Sequence, residues 1–371
     1  MRPTKARIDL GLYRHNIRVI SKKTGGRKIC LVVKANAYGH GSVKMAKVGI
    51  EAGAQALGVA TVDEALELRD AGIAAPIFLF TVADVSEVPR LVRFDITPFA
   101  SDLAYIKQIE QEARNQGKVA EIHLKVDTGM GRLGCRPEEA LSLASFVGNS
   151  KNLMMGGICT HFSVSDISDR AYTLLQINRL DLLVETLKSQ HIPHGLVHAA
   201  NTGAIIQYPE AYYDMVRPGL GIFGYPPDLI NMGRDKADLR PVLSMETKIG
   251  LIKTIKKGES VSYGRTFVAE NDTHIGVVAA GFCDGYPRSL SNKGFVTIKE
   301  KHYPVIGMVC MDQLIVDLGR DLQVGPDDTV MLLGHGRNEP TMIDLTQRGN
   351  VIVNEVICRI PARVPKVYIN E

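Results

Sequence analysis

Eight short apolar runs dominate the first part of this chain, at 29–34, 56–60, 77–80, 94–97, 119–126, 154–161, 195–200 and 213–217. Each is too short for a helix and is bounded by turn residues, so each reads as a buried strand. Helical patterns separate most of them, for example at 62–71, 137–147 and 168–190. Pro137 suits a first helical turn, with Glu138 and Glu139 at the positive end of the helix. Strand alternating with helix implies a parallel sheet. Eight such strands within about 220 residues point to a closed (β/α)8 barrel rather than an open sheet. After Pro241 the pattern changes. Strand-like runs at 242–255, 260–263, 274–281, 294–299, 303–309, 313–317 and 329–333 are divided by turn residues. One helix over 343–360 and a last strand at 364–369 complete the chain. The expected architecture is therefore an α/β barrel followed by a mainly β domain, with the boundary near 225–240.

Composition narrows the class. The chain has 371 residues, 45% of them hydrophobic and 23% charged, which is a globular profile. The formal charge of +4 is spread along the chain, with no Lys/Arg block of the kind that binds nucleic acid. The six cysteines show no Cys-x-x-Cys spacing, so neither a zinc site nor a disulfide framework is expected. No apolar run approaches a membrane span and no signal-type core follows the N-terminus, so a cytoplasmic protein is expected.

Barrel enzymes carry their sites at the carboxyl ends of the strands. That rule selects particular residues. Lys34 and Tyr38 follow the first barrel strand in Val33-Lys-Ala-Asn-Ala-Tyr-Gly-His-Gly41. An amine, a phenol and close-approach glycines at one strand end suit a lysine Schiff base with a phosphate-bearing carbonyl cofactor. Lys125, Asp127 and Arg132 end the fifth strand, His161 ends the sixth, Asn201, Thr202 and Gly203 follow the seventh, and Arg217 ends the eighth. Gly129-Met-Gly-Arg-Leu-Gly134 matches a dinucleotide fingerprint, but it occurs in the fifth unit and no acidic strand end follows at the required distance. His191, His194 and His198 have a spacing open to metal, with no cysteine or carboxylate cluster beside them, and read as structural, His194 and His198 on a strand. In the β-rich part, 261–267, 281–288 and 307–313 are strand ends with turns, and Tyr263 is by default a packed strand aromatic.

Taken together, these six separated motifs resemble the alanine racemase family along the whole chain. The resemblance implies a TIM barrel over 11–235 that binds pyridoxal 5'-phosphate, and a C-terminal domain over 236–371 joined by the N-terminal strand 1–10. It implies a homodimer interconverting L- and D-alanine, a small amino-acid substrate, and supply of D-alanine for peptidoglycan. Carried over by position, Lys34 holds the cofactor and is one catalytic base. Tyr38, Thr202, Gly219 and Leu220 match phosphate-binding positions, with Asn201 beside them. Arg217 matches the arginine facing the pyridine nitrogen, and His161 the histidine next to it. Arg132 contacts the cofactor's phenolic oxygen and the substrate carboxylate. Lys125 matches a lysine that is N-carboxylated in some members. Tyr263 matches the second catalytic base and Met311 a substrate contact, both from the partner subunit. No metal, nucleic acid or membrane is implied.

The residue types suit racemisation, which removes a proton from one face of Cα and returns one on the other. An arginine at the ring nitrogen keeps that nitrogen unprotonated and the cofactor a weaker electron sink. Two positions depart from the family pattern. Phe282 stands where a tyrosine is usual, and Ala362 replaces a tyrosine near the cofactor, so side chains larger than a methyl, serine first, are expected to fit. The competing expectations are a decarboxylase of the same fold, which would place an acidic group at the ring nitrogen, and a non-catalytic carrier, which would lack the β domain.

Overall fold

The computed structural model describes residues 3–227 and 237–371. The expected domain boundary at 235/236 lies outside the described residues. The chain divides into two compact units, one of Tyr13–Ala37 and Gly41–Arg240, the other of Met1–Leu12, Tyr38–His40 and Pro241–Glu371.

The first unit is a closed barrel of eight parallel strands. Numbering from the N-terminal strand β1 (Lys5–Asp9), the barrel comprises β2 (Lys28–Val32), β3 (Ala56–Val59), β4 (Ile77–Leu79), β5 (Ile96–Ala100), β6 (Ala120–Lys125), β7 (Leu153–Cys159), β8 (Leu196–His198) and β9 (Met215–Val216). Closure comes from β2 against β9, with Lys28 opposite Met215 and Ile29 opposite Val216. The strands read as continuous apolar runs because they are covered on both faces, by helices outside and packed side chains inside. The interior is filled by Cys30, Ala56, Phe78, Phe99, Cys159 and Met215, with Phe80 against them.

The second unit is a mixed sheet. It contains β1, β10 (Leu243–Ile255), β13 (Thr273–Val278), β14 (Phe295–Ile298), β15 (Lys301–Pro304), β16 (Leu314–Gly319), β17 (Thr329–Leu333) and β18 (Lys366–Ile369), with β11 (Ser260–Val261) and β12 (Phe267–Val268) as a separate hairpin. The N-terminal strand lies between β10, antiparallel, and β18, parallel. Three expectations needed correction. The helix over 343–360 is two helices, Met342–Gly349 and Val353–Cys358, because Asn350 adopts a left-handed φ of 49° that ends the first. His194 precedes β8 rather than lying on it. Tyr263 is not a packed strand residue: Ser262 turns out of β11 at φ 65° and leaves Tyr263 74% exposed on a short turn.

Candidate active site

Lys34 follows β2 and begins an unusual turn. Ala35, Asn36, Ala37 and Tyr38 all take left-handed φ values of 51–54°, followed by Gly39 at 82°. Non-glycine residues pay about 1–2 kcal/mol each for that conformation. Such strain persists only where surrounding groups over-determine it. Here the Ala35 amide donates to the Glu64 carboxylate at 2.6 Å and the Ser42 amide to the Asn36 side chain at 2.9 Å. Glu64 also caps its own helix, Val62–Asp70, in a capping box with Thr61. At Gly39 a Cβ would sit 2.2 Å from the Ile357 carbonyl, so only glycine fits. The Lys34 amine has no partner among the described residues.

Cations gather at the mouth of the barrel. Lys125, at the end of β6, is buried, and that burial pushes its pKa down to about 8; Arg217 and Arg132 push the same way against Cys159 and Asp127. Arg217 is 4% exposed and tightly held, with Nη2 donating to the carbonyls of Thr160 and Ala199 at 2.7 and 3.1 Å and Nη1 donating to His198 Nδ1. Its Nε–H and its second Nη1–H take no partner among the described residues. His161 is kept neutral, its pKa driven well below the usual value by burial and then by Lys125, Arg217, Arg132 and Lys34. Arg132 is exposed on the loop after β6.

That loop also disposes of the dinucleotide reading. The Asp127 carboxylate accepts from the amides of Gly129, Met130 and Gly131 at 2.7–2.8 Å, so the glycine-rich amides are already committed and open no helix. The unsatisfied amides lie instead beyond β8 and β9. Thr202 Oγ1 accepts from the Gly219 and Gly221 amides, both at 3.1 Å, drawing the two loops together. The N–H groups of Thr202, Gly203 and Leu220 have no partner among the described residues. Asn201 caps the following turn by accepting from Ala204 at 3.0 Å and from Ser165 Oγ at 2.8 Å. A Cβ at Gly203 would reach Ser165 Oγ at 2.8 Å, and one at Gly221 would reach Thr202 Cγ2 at 2.9 Å. A cradle of free buried amides lined by glycine suits a phosphate.

In the second unit the three sequence stretches converge. Ser262 Oγ donates to the Met308 carbonyl at 2.7 Å, and the Phe282 and Cys283 amides donate to the Cys310 and Met311 carbonyls at 3.0 Å. Tyr263 and Met311 are 74% and 55% exposed on these loops. Tyr38 belongs to this unit and is buried. Arg363, next to Ala362, bridges Asp284 at 2.9 Å and Asp312 at 2.8 Å.

Comparison with known proteins agrees with this layout. Residues 8–227 match the profile for the alanine racemase N-terminal domain, and residues 242–368 the profile for its C-terminal domain. The chain belongs to the alanine racemase family. An alanine racemase of Treponema denticola is 42% identical, with 100% of this chain and 99% of the relative covered. The crystal structure of alanine racemase from D-cycloserine producing Streptomyces lavendulae superposes with a TM-score of 0.95 at 34% identity, covering 100% of this chain and 98% of that one. A histidine racemase from Leuconostoc mesenteroides has a TM-score of 0.90 at 29% identity, over 100% of this chain and 98% of that one. Racemases named for different amino acids thus share this scaffold. Sequence reasoning missed Glu64, although Thr61-x-x-Glu64 is a legible capping box, and it missed the partners of Arg217, which no spacing reveals.

No helix among the described residues is long and apolar enough to cross a membrane. The described residues contain no cluster of His, Cys, Asp and Glu able to hold a metal.

Proposed function

We propose that this chain is a pyridoxal-phosphate-dependent racemase that interconverts L- and D-alanine by a two-base mechanism. The observation that carries the reading is Arg217. A buried guanidinium, anchored by three acceptors, keeps two N–H groups for an acceptor at the barrel mouth, where an electron-sink enzyme would need a carboxylate. Family membership and the glycine-lined amide cradle support the same cofactor. When bound, pyridoxal phosphate supplies the delocalisation that makes the α-proton of an amino acid acidic.

The chain's own groups do the rest. Thr202, Gly219 and Leu220, with Tyr38, would hold the phosphate, and Asn201 shapes their turn. Lys34 would hold the cofactor through its amine and would move a proton at Cα on one face. Tyr263 moves one on the opposite face, and its exposure in its own chain suits a residue that completes a partner's site in a homodimer. Met311, similarly exposed, would meet the substrate carboxylate there. His161, neutral and beside Arg217, is placed to exchange a hydrogen bond without adding charge. Arg132 would pair with the substrate carboxylate. The Lys125 amine, with its pKa near 8, has the unprotonated fraction that carboxylation by carbon dioxide requires, and the carbamate would turn a buried cation into an anion facing Arg132. Ala362 and Phe282 in place of tyrosines favour turnover of serine as well as alanine. The metabolic role would be supply of D-alanine for the cell wall, in the cytoplasm.

Purified protein should carry a visible absorption band that borohydride bleaches and fixes on the Lys34 peptide. Chiral chromatography should show L-alanine converting to D-alanine. Release of carbon dioxide and amine instead would favour a decarboxylase, and a bleachable band with no turnover would favour a carrier.

A further inference from the structure

The acceptor of Arg217 begins a chain of groups running back through the barrel, two buried imidazoles and then the partly exposed Glu121 carboxylate. His198 Nε2 lies 2.7 Å from His123 Nδ1, and His123 Nε2 lies 3.4 Å from Glu121 Oε1. Arg217 stands beyond the end of β9, whereas Glu121 stands near the start of β6, at the opposite end of the strands.

The direction of this chain is dictated by chemistry. A guanidinium only donates. His198 Nδ1, facing Arg217 Nη1, must therefore accept, which puts the His198 proton on Nε2. That proton points at His123 Nδ1, which must accept in turn. The His123 proton is then on Nε2 and needs an acceptor beyond it. Glu121 is that acceptor. Reversing either tautomer would set N–H against N–H.

The surroundings are built for two neutral imidazoles. His123 and His198 are 1% and 0% exposed and lie against Phe78 and Phe99, with ring centroids 4.6–6.2 Å apart. Burial lowers both imidazole pKa values, and the charge of Arg217 lowers them further; Glu121 opposes this at His123. Two successive glycines on β7 make the room. A Cβ at Gly156 would strike Glu121 Oε1 at 2.2 Å, and one at Gly157 would strike His123 Nδ1 at 2.8 Å. The β6–β7 register shifts between Ile122 and His123, the step that lies between Glu121 and His123.

We propose that Glu121 is a positioning residue: by accepting the His123 proton at the far end, its carboxylate holds His123 and His198 seated so that the His198 acceptor stays on Arg217. This rests on the reading that Arg217 faces the ring nitrogen of the cofactor. With one Nη1–H committed to His198, the remaining donors keep a defined aim into the mouth. At 3.4 Å the terminal contact is long, so the effect is modest.

The test uses 15N-histidine NMR on the full-length protein, before and after loading with pyridoxal phosphate. Both imidazoles should be neutral Nε2–H tautomers in wild type, loaded or not. Glu121→Gln keeps an acceptor oxygen and should preserve both tautomers and turnover. Glu121→Leu leaves the His123 Nε2–H without its acceptor, and should shift the His123 and His198 resonances and lower kcat about fivefold with KM unchanged, the loss of roughly one net hydrogen bond. Gly156→Ala, which displaces the carboxylate without removing it, should shift the same two resonances. An Nδ1–H tautomer at either histidine in wild type overturns the proposal. So does a Glu121→Leu protein with wild-type shifts and wild-type kcat. The predicted tautomers in a protein that racemises nothing would support the relay while sinking the functional reading.

Discussion

Glu64→Ala tests whether the turn after Lys34 is a held, strained element. Four non-glycine residues in left-handed conformation cost about 4–8 kcal/mol together, at about 1–2 kcal/mol each. Against this stand three neutral hydrogen bonds to the turn, at about 1 kcal/mol each, and the Glu64 carboxylate on the Ala35 amide, at about 1.5–3 kcal/mol. The balance is close, so losing the charged bond should let the turn relax. Ala35 faces solvent, which puts the loss at the low end, about 1.5 kcal/mol, or roughly tenfold in cofactor Kd. Glu64 also caps a helix, and Thr61→Ala isolates that role. Thr61→Ala removes the side-chain acceptor of the Glu64 amide and should cost about 1 kcal/mol of stability with no change in cofactor Kd. The assays are urea unfolding for stability and absorbance titration for pyridoxal-phosphate binding. Equal Kd values for the two variants would refute the reasoning and make Glu64 a cap alone.

Further outcomes follow from the same physical arguments. The Lys125 amine has its pKa lowered from 10.5 to about 8 by burial, so between those pH values the unfolded chain binds the extra proton and stability rises with pH. In bicarbonate-free buffer, wild type minus Lys125→Met should therefore gain about 3 kcal/mol from pH 8 to 10.5, and a flat difference would show Lys125 to be solvated. Lys34→Ala and Tyr263→Ala homodimers should each be inactive, yet refolding them together should restore roughly one quarter of wild-type activity, since about half of randomly paired dimers are mixed and each has one intact site. Formation of mixed dimers with no recovery would place Tyr263 in its own chain's site. Ala362→Tyr should raise the alanine-to-serine ratio of kcat/KM by about tenfold, within the range of about 1–3 kcal/mol that a methylene-scale fit is worth, and an unchanged ratio would remove Ala362 from specificity.

The barrel was legible because its strands are buried on both faces and read as unbroken apolar runs, and because closure forces the polar strand ends to one side. The residues at those ends, Lys34, Lys125, His161, Thr202 and Arg217, could be picked out by position alone. The left-handed turn could not. Ala-Asn-Ala-Tyr carries no glycine before Gly39, so its conformation is imposed from outside by Glu64 and Ser42. The partners of Arg217 were equally hidden, since His123 and His198 lie 75 residues apart and meet only when the barrel closes. Tyr263 was misplaced because an aromatic next to a β run is usually packed, whereas the backbone of Ser262 turns it outward. The split of the last helix had a signal, Gly349-Asn350, which is a C-terminal stop that an otherwise helical pattern outweighed.

The central claim is that two different groups, on opposite faces, exchange protons with the same Cα. Racemisation of L-alanine in deuterium oxide, with mass spectrometry of the first D-alanine formed, addresses it directly. The account predicts that the initial D-alanine carries deuterium at Cα, because the proton taken by one base is not the one returned by the other. D-alanine that retains the substrate's own hydrogen would mean a single base serving both faces, and would contradict it.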